Sequence, residues 1–398
     1  MKYKGITVKG FRAAGLHCGV KKISGRKDLA LIYSEVPAVA SGVFTKNKVK
    51  AAPVILSMKN INKGLISAIA ANSGNANACT GKEGMKSALL MAEKAAFFTA
   101  SDKNEIIVCS TGVIGVPLPV GKILDGIETA SYMLREDGLL NAAEAIMTTD
   151  TFRKTAQAKF RINGRNCALF GMTKGSGMIH PNMATMLCFI LTDISISKKM
   201  LDKSFKEINS ETFNAITVDG DTSTNDTAVI LANGMAGNKP VTAGGKAYTV
   251  FYKALKAVML NLAKAIVKDG EGASKAIEVC VKNAGTKAGA LKIAKAIAGS
   301  SLFKTAIYGG DPNWGRILSA IGNSGVKFIE NKVDISFGSL AIAKKGVEVK
   351  FNGKAAHNLL MKKEVLVNVD LHNGKKNASA YTCDLTEGYI RINAHYRT

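Results

Sequence analysis

KGSGMIHPNMATMLCFIL, residues 174 to 191, joins a loop to an apolar segment. Two glycines and a proline predict irregular backbone over 175–182, whereas the unbroken apolar run 186–191 has the length of a buried strand. Thr185 lies at the junction. A hydroxyl nucleophile suits such a place, because the strand fixes its backbone and the loop leaves room for a substrate. The pattern alone nevertheless favours a plainer interpretation, in which Thr185 is a β-branched residue that opens a strand.

Length and charge set the outer bounds of the interpretation. The chain has 398 residues, 47% of them hydrophobic, which predicts two sub-domains or two halves of one layered body. The formal net charge is +24, but the lysines are spread along the chain and Trp occurs once. Solvated lysine-rich faces therefore explain the charge better than nucleic-acid binding does. The same field would attract acidic substrates.

Cysteines and histidines indicate the compartment and argue against cofactors. The seven cysteines are scattered without a C-x-x-C pair, as is typical of reduced thiols. The N-terminus has no apolar signal core, and no apolar run reaches the roughly 18 residues that cross a bilayer. We therefore expect a cytoplasmic protein. The five histidines form no ligand pair or catalytic dyad by spacing, and no Rossmann glycine fingerprint follows a strand, so we expect neither metal nor cofactor.

Hydropathy patterns predict a mixed α+β chain. The predicted strands include 29–33, 40–44, 66–70 and 106–111, and the predicted helices include 85–98, 123–147 and 251–268. From residue 326 onward, short alternating segments predict a hairpin-rich sheet with turns at Asn352-Gly353 and Asn373-Gly374, and a last strand over 389–398. The acidic segment 219–226 lacks the turn glycine and terminal glutamate of a calcium loop, so it predicts a structural loop.

Several motifs, in order, resemble one family almost from end to end. KGSGMIHPNMATML is similar to the self-cleavage segment of the ornithine acetyltransferases, the glutamate N-acetyltransferases of arginine biosynthesis. STGVIG at 110–115, the segment 213–227 and GGDPNWGR at 309–316 agree as well. The resemblance implies that the chain cuts itself between Ala184 and Thr185, giving halves 1–184 and 185–398. It also implies an α+β fold: a layered αββα sandwich of the self-processing N-terminal-nucleophile-like type, with a smaller α/β C-terminal lobe.

The resemblance also assigns roles to single residues. Thr185 becomes the N-terminal nucleophile, and Thr111 and Gly112 supply the two oxyanion donors. Without the family, a strand followed by a glycine turn is weak evidence for such a role. The substrate would be held, together with Thr185, by Thr151, Lys174, Glu271, Asn393 and Thr398. Taken singly, these five read as turn, exposed, loop or fraying terminal residues. Arg153 stands where we expect a proline.

The implied reaction is an acetyl transfer. The acetyl group of N2-acetylornithine passes through an acetyl-Thr185 ester to glutamate, giving ornithine and N-acetylglutamate. The sequence leaves open whether acetyl-CoA is a second donor. The family implies a heterotetramer of two α and two β chains, with small-molecule substrates as its other partners. A related self-processing amidohydrolase or aminopeptidase would share the nucleophile but release acetate, and a basic nucleic-acid-binding protein is a third class.

Overall fold

The computed structural model describes residues 7–23, 25–180 and 186–395. Contacts divide the chain into two compact units that alternate along the sequence. The first unit is Met1–Gly175, Asn182–Thr212 and Thr222–Leu262, and the second is Ser176–Pro181, Phe213–Asp221 and Ala263–Thr398. The expectation of two sub-domains is confirmed. The division into chains 1–184 and 185–398 concerns scission and stays a prediction.

The first unit is built on one continuous sheet. Its strands are β1 (Phe11–Leu16), β2 (Leu29–Phe44), β3 (Leu65–Asn75), β4 (Ile106–Val113), β5 (Lys154–Ile162), β6 (Arg165–Lys174), β7 (Leu187–Thr192) and β8 (Thr227–Ala232). The helices are α1 (Ala52–Ile61), α2 (Gly81–Phe98), α3 (Val120–Tyr132), α4 (Leu139–Ala145), α5 (Lys198–Glu211) and α6 (Lys246–Lys268). The strand order is β4-β3-β2-β8-β7-β6-β5, with β1 on β2.

The long strand β2 connects the two parts of this sheet. Its first part, Leu29–Ser34, pairs with β1, and its last part, Val39–Phe44, pairs with β8. β3 pairs along the other edge, with a register shift between Tyr33 and Ala38. Two separate strands were predicted here. The interruption falls at Pro37, which has no N–H to donate to a neighbouring strand, so one irregular strand serves both parts.

Alternating side chains of this sheet pack into two separate layers. On β4, Ile107 and Cys109 join the core shared with Phe170 and Phe189 of β6 and β7. Ile106 and Val108, on the other face, pack with residues of α2 and α3. On β6, a Cβ added to Gly171 would lie 2.7 Å from Leu262 of α6. Helices therefore cover the outer faces of two facing sheet layers, and the predicted αββα sandwich is confirmed.

The second unit is a smaller α/β lobe, also as predicted. Its strands are β9 (Ala276–Ala284), β10 (Asp334–Phe337), β11 (Leu340–Lys344), β12 (Val347–Glu348), β13 (Glu364–Asp370) and β14 (Lys376–Cys383). Its helices are α7 (Lys287–Ala298), α8 (Ser301–Gly309), α9 (Trp314–Asn323), α10 (Gly353–Leu360) and α11 (Glu387–Ala394). The order β12-β11-β10-β13-β9-β14 makes one sheet, whose core contains Val279, Ile293 and Val367. Among the described residues, no helix is both long and apolar enough to cross a membrane.

Three expectations for the C-terminal region are wrong. Asn352 does not begin a hairpin turn but caps α10, where its side chain accepts the N–H of Ala355 at 3.0 Å. Asn373-Gly374 does not close a hairpin either, because β9 lies between β13 and β14. The last predicted strand is helix α11, capped by Thr386. The few apolar residues of this segment fit the two-residue period of a strand as well as the 3.6-residue period of a helix, and the N-terminal cap decides for the helix.

The α10 start makes a prediction that separates a helix cap from a hairpin. A type I′ turn would need a positive φ at Gly353, and Gly353 does not have one in the structure. A Cβ added to Gly353 would meet nothing within 4 Å. We expect Gly353→Ala to leave the free energy of unfolding unchanged or to raise it by about 0.4–1 kcal/mol. The melting temperature should stay the same or rise accordingly. Gly346→Ala is the matched control, because Gly346 has φ +77 and its added Cβ would lie 2.7 Å from the Glu330 carbonyl oxygen. Equal losses in both variants would contradict the cap.

Candidate functional site

The end of β4 carries the two predicted oxyanion donors, Thr111 and Gly112. β4 runs parallel to β3, with Gly112 opposite Gly74. Gly112 has φ +136, and a Cβ added there would lie 2.3 Å from the carbonyl carbon of Gly74. Only glycine fits this close approach. The sequence placed Gly112 in a turn after the strand, whereas the structure keeps it inside the strand pairing.

A network of buried amides fixes the backbone just before Thr111. Ser110 donates its hydroxyl to Asn72 Oδ1 at 2.6 Å. Asn225 donates its amide to the carbonyl oxygens of Ser110 at 2.8 Å and Ala76 at 2.6 Å. Neither role was predicted from the sequence, in which the segment 219–226 that contains Asn225 reads as a structural loop. A buried network whose members are all bonded holds its geometry rigidly.

Lys174, the last residue of β6, reaches Thr111. Its side chain is buried, with the residue 6% exposed, and its Nζ lies 3.3 Å from Thr111 Oγ1. The plain interpretation of Lys174 as an exposed residue is wrong. An ammonium group can only donate, so the Thr111 oxygen accepts and its own hydroxyl proton is left to be donated elsewhere.

Asp150 is the buried anion beside this lysine. Its Oδ1 accepts Lys154 Nζ at 2.6 Å and the N–H of Gly175 at 2.8 Å. Burial alone would raise the pKa of Asp150, but the charges of Lys174 and Lys154 and the Gly175 N–H outweigh burial and lower that pKa to about 2. The carboxyl is therefore ionised at neutral pH, and it orients the residue after Lys174.

A third lysine belongs to the same neighbourhood. Lys21 donates its Nζ to the carbonyl oxygens of Lys27 and Met147, both at 2.7 Å. Burial, together with the charges of Arg26 and Lys174, lowers its pKa to about 8 against the opposing effect of Asp28. Lys154 binds Asp150 directly, and the charges of Lys174 and Asp150 both act on Lys21, so these groups share one neighbourhood in the first unit. We define Lys21, Lys154, Lys174 and Asp150 as the lysine cluster, whose formal charge is positive.

Thr151 follows Asp150 in the predicted turn and is exposed. The second oxygen of Asp150 accepts the N–H of Thr148 at 2.9 Å. That bond stabilises the turn from inside. The absence of proline at Arg153 therefore does not leave the turn without a fixed shape.

In the second unit, the structure brings together Glu271 and Asn393. Asn393 of α11 donates its amide to Glu271 Oε2 at 2.9 Å. Glu271 is 8% exposed, so it is not the solvated loop residue that its glycine neighbours suggested. A Cβ added to Gly177 would lie 2.2 Å from the same Oε2, so the backbone of the glycine-rich segment passes directly against this carboxylate.

Asp219 binds the backbone of the same segment. Its carboxylate accepts the N–H groups of Met178 at 2.5 Å and Ile179 at 2.8 Å, and Tyr389 donates its hydroxyl at 3.2 Å. Met178 has φ +55, a conformation that needs such support. The segment 219–226 thus serves backbone N–H groups, and no group of three or more His, Cys, Asp or Glu is arranged to hold a metal within the described ranges.

Ala184, Thr185 and Thr398 lie outside the described residues. The first described residue after Thr185 is Met186, which is buried and held on both sides. Its N–H donates to Asp226 Oδ1 at 3.0 Å, and its carbonyl oxygen accepts the N–H of Thr227 at 3.0 Å. The predicted strand 186–191 is confirmed as β7, so the backbone that follows the predicted nucleophile is fixed.

Comparison with known proteins places the chain in a family. A model of the ArgJ family matches residues 12–398. The "Arginine biosynthesis bifunctional protein ArgJ" of Caldanaerobacter subterraneus subsp. tengcongensis is 52% identical over 394 residues, which cover 98% of this chain and 97% of that protein. The protein of the same name from Symbiobacterium thermophilum is 49% identical, with 99% and 98% covered.

A solved structure agrees. The crystal structure of arginine biosynthesis bifunctional protein argJ from Bacillus halodurans is 45% identical with a TM-score of 0.50, and the match covers 51% of this chain and 95% of that chain. The resemblance seen in the motifs is confirmed. The chain therefore belongs to the ArgJ family, the enzymes of arginine biosynthesis whose acetyltransferase motifs it carries.

Proposed function

We propose that the protein transfers an acetyl group from N2-acetylornithine to glutamate through an acetyl-Thr185 ester, after cutting itself between Ala184 and Thr185. The observation that carries this proposal is the 3.3 Å contact between Lys174 Nζ and Thr111 Oγ1, which joins the start of the scission segment to the oxyanion strand. Family membership supports it, because relatives over 97–98% of their own length are named for arginine biosynthesis.

Self-cleavage is the first stage. The Thr185 hydroxyl attacks the carbonyl carbon of Ala184, the peptide C–N bond breaks, and an ester forms as the amine is released. Water then hydrolyses the ester, leaving a carboxylate on Ala184 and a free α-amine and hydroxyl on Thr185. The developing oxyanion would be stabilised by the Gly112 N–H and by the Thr111 hydroxyl, whose proton Lys174 leaves available.

The free amine supplies the base for turnover. A terminal amine has a reference pKa of about 7.7–8.0, so it can accept a proton near neutral pH, which the peptide nitrogen before scission could not. A nearby positive charge favours the neutral form of an amine. Lys174 is eleven residues before Thr185 in sequence and belongs to the positively charged lysine cluster. A positive charge of this kind within a few ångströms of the amine would favour its neutral, basic form at pH 7.

Acetyl transfer is the second stage. Thr185 attacks the acetyl carbonyl, ornithine leaves, and the amine of glutamate takes the acetyl group from the ester, a ping-pong sequence. The lysine cluster would attract the substrate carboxylates, and Thr151 and Thr398 are further proposed contacts. Glu271, oriented by Asn393, has the charge that suits the side-chain ammonium of ornithine. These steps need no metal and no bound cofactor.

Two further features of the proposal follow from the relatives. The match to the Bacillus halodurans structure covers 95% of that chain but only 51% of this chain. That chain is therefore about half as long as this one, as a cleaved half would be. That length supports the proposed scission into an α and a β chain, and a cytoplasmic heterotetramer of two α and two β chains stays the proposal that the family resemblance implies. The word "bifunctional" in the relatives' name supports acetyl-CoA as a second acetyl donor.

Intact mass of the purified protein tests scission directly. We expect two fragments for the wild type, beginning at Met1 and Thr185, and one inactive full-length chain for Thr185→Ala. Thr155→Ala, an exposed threonine on β5, is the control and should be cleaved normally. A wild-type protein that is active as one uncut chain would sink the proposal. Release of free acetate instead of N-acetylglutamate would favour an amidohydrolase.

If Thr111 is an oxyanion donor, removing its hydroxyl should slow both scission and acetyl transfer. Thr111→Val keeps the shape of the side chain and removes its hydroxyl, so both the scission rate and kcat should fall by about 10²–10³-fold. Thr129→Val, an exposed position on α3, should leave both rates unchanged. If Thr111→Val slowed only one of the two reactions, Thr111 would not be a common oxyanion donor.

The lowered pKa of Asp150 predicts a specific acid sensitivity. The folded pKa is about 2 and the unfolded value about 3.9, so the ionised carboxylate stabilises the fold above about pH 4. That contribution is lost as the pH falls from about 4 to 2. We expect Asp150→Asn to be less stable at pH 7 and to lose less stability over this interval, as measured by urea unfolding. Asp137 is exposed, so Asp137→Asn should show the same dependence of unfolding free energy on pH as the wild type. If Asp150→Asn lost as much stability as the wild type between pH 4 and 2, the lowered pKa of Asp150 would be refuted.

A further inference from the structure

Lys21 is a lysine to which the proposed chemistry gives no contact of its own. It is half-buried and lies between β1 and β2. Its Nζ donates to two backbone carbonyl oxygens, those of Lys27 and Met147, both at 2.7 Å. An ammonium group has three N–H donors, and within the described ranges the third finds no acceptor. Lys21 can therefore bind one further acceptor.

Asp28 holds the backbone from which the Lys21 side chain starts. Its buried carboxylate accepts the N–H of Cys18 at 2.6 Å and the N–H of Lys21 itself at 2.9 Å. The carbonyl oxygen of Asp28 accepts the N–H of Ser73 on β3 at 2.8 Å. The segment that carries Lys21 is thus fixed against β3, so its ammonium group is held in a defined position.

The aliphatic part of Lys21 lies against Gly74, the strand partner of Gly112. A Cβ added to Gly74 would lie 3.1 Å from Lys21 Cγ, and Gly112 is opposite Gly74 in the pairing of β3 with β4. One residue therefore separates Lys21 from the proposed oxyanion donors. The Lys21 ammonium binds the carbonyl oxygen of Met147, which precedes the turn that carries Thr151. Lys21 thus connects two segments that are proposed to contact the substrate.

The chemistry of the substrates places a carboxylate near these donors. In an N2-acetylated amino acid, the α-carboxylate is attached to the same carbon atom as the acetylated nitrogen. If Thr111 and Gly112 hold the acetyl oxygen, the α-carboxylate must therefore lie in the same neighbourhood. Positive charge is concentrated there, because Lys174 Nζ lies 3.3 Å from Thr111 Oγ1 and its charge acts on Lys21. N2-acetylornithine and glutamate share the α-carboxylate, whereas their side chains differ in charge.

We infer that Lys21 donates its third N–H to the α-carboxylate of the bound amino acid, which makes a free α-carboxylate a requirement for the acetyl donor. This inference rests on the proposed function, and it names the carboxylate that is recognised and the residue that recognises it. A hydrogen bond between two charged groups contributes roughly ten- to a hundredfold in binding. The two carbonyl oxygens already order the ammonium group, so little further ordering is needed when the carboxylate binds.

A donor without the carboxylate separates this contact from a purely structural role of Lys21. The probes are N2-acetylornithine and its α-carboxamide, with glutamate as the acceptor. In a ping-pong reaction, kcat/KM for the donor depends only on the steps up to ornithine release, so the acceptor does not affect it. We expect the wild type to prefer the carboxylate, and Lys21→Met to reduce that preference in kcat/KM by about tenfold or more. A structural Lys21 would lower both values equally.

Lys275 is the matched control. It is also buried, at 6% exposed, and its Nζ donates to the carbonyl oxygens of Ile307 at 2.6 Å and Tyr308 at 3.0 Å. Lys275→Met therefore removes the same kind of hydrogen bonds, in the second unit. This variant should have a lower melting temperature, whereas its ratio of kcat/KM values for the two donors should equal that of the wild type.

The pH dependence of the same ratio tests the contact in the wild type. Burial lowers the pKa of Lys21 to about 8, and the charges of Arg26 and Lys174 lower it further, against Asp28 and Asp150. The ammonium is charged below this pKa and neutral above it. Because kcat/KM reports ionisations of the free enzyme, the preference for the carboxylate should fall as the pH rises through about 8. Lys21→Arg should keep its preference, since a guanidinium stays charged.

Each outcome either supports or overturns the inference. Equal losses for both donors in folded Lys21→Met would overturn it, as would a wild-type ratio that stays constant from about pH 7 to 9. The wild-type pH series keeps the test valid if Lys21→Met does not fold. If the wild type transfers no acetyl group from N2-acetylornithine to glutamate, the proposed function itself fails. Normal wild-type transfer with an unchanged ratio in Lys21→Met overturns only the role of Lys21.

Discussion

The pairing of β2 with two different partners on one edge is the constraint on which the first unit depends. β1 takes the first part of that edge and β8 the last part, and the interruption lies around Pro37. Because β4 lies two places from β2 on one side and β7 two places on the other, β2 alone sets the relation between β4, which carries the proposed oxyanion donors, and β7. A slip in its register would move both sets of side chains to the wrong faces.

The site in the first unit is made of buried polar groups, each held by a defined partner. Asn72 and Asn225 fix the backbone around Thr111, and Asp150 holds the residue after Lys174. Buried charges and amides add little net stability, and removing one partner leaves the other unsatisfied. Such groups fix geometry more than they stabilise the fold, which is what a preorganised oxyanion site requires.

Local patterns predicted some regular elements well, but the single helix predicted over 123–147 is wrong, because α3 ends at Tyr132 and α4 begins at Leu139. The strand 186–191 and the helix 251–268 were read from hydropathy alone, and both are present as β7 and α6. The α11 helix was missed because eight residues are too few for a clear period, and Asn352-Gly353 was misread because the same pair suits a cap or a turn.

The site was predictable only through the family motifs, and even these left some residues out. Thr111, Lys174 and Glu271 came from the resemblance, whereas Asp150, Asp219 and Asp226 had no signal that distinguished them from loop residues. Their burial depends on remote partners: Gly175 is 25 residues from Asp150, and Met186 is 40 residues from Asp226. Such pairings arise from the tertiary fold, which a window of sequence does not contain.

Electrostatics shift the pKa values of two buried aspartates of the same unit in opposite directions. Asp150 meets two lysines and a backbone N–H, so its charge is retained and its pKa lies near 2. For Asp226, burial outweighs the Met186 N–H, the charge of Lys174 and the Thr45 hydroxyl, so its pKa rises. The first aspartate organises cations, and the second accepts the N–H of Met186 at the start of β7. Under the proposed mechanism, an N-terminal amine must be neutral to act as a base, and positive charge nearby lowers its pKa.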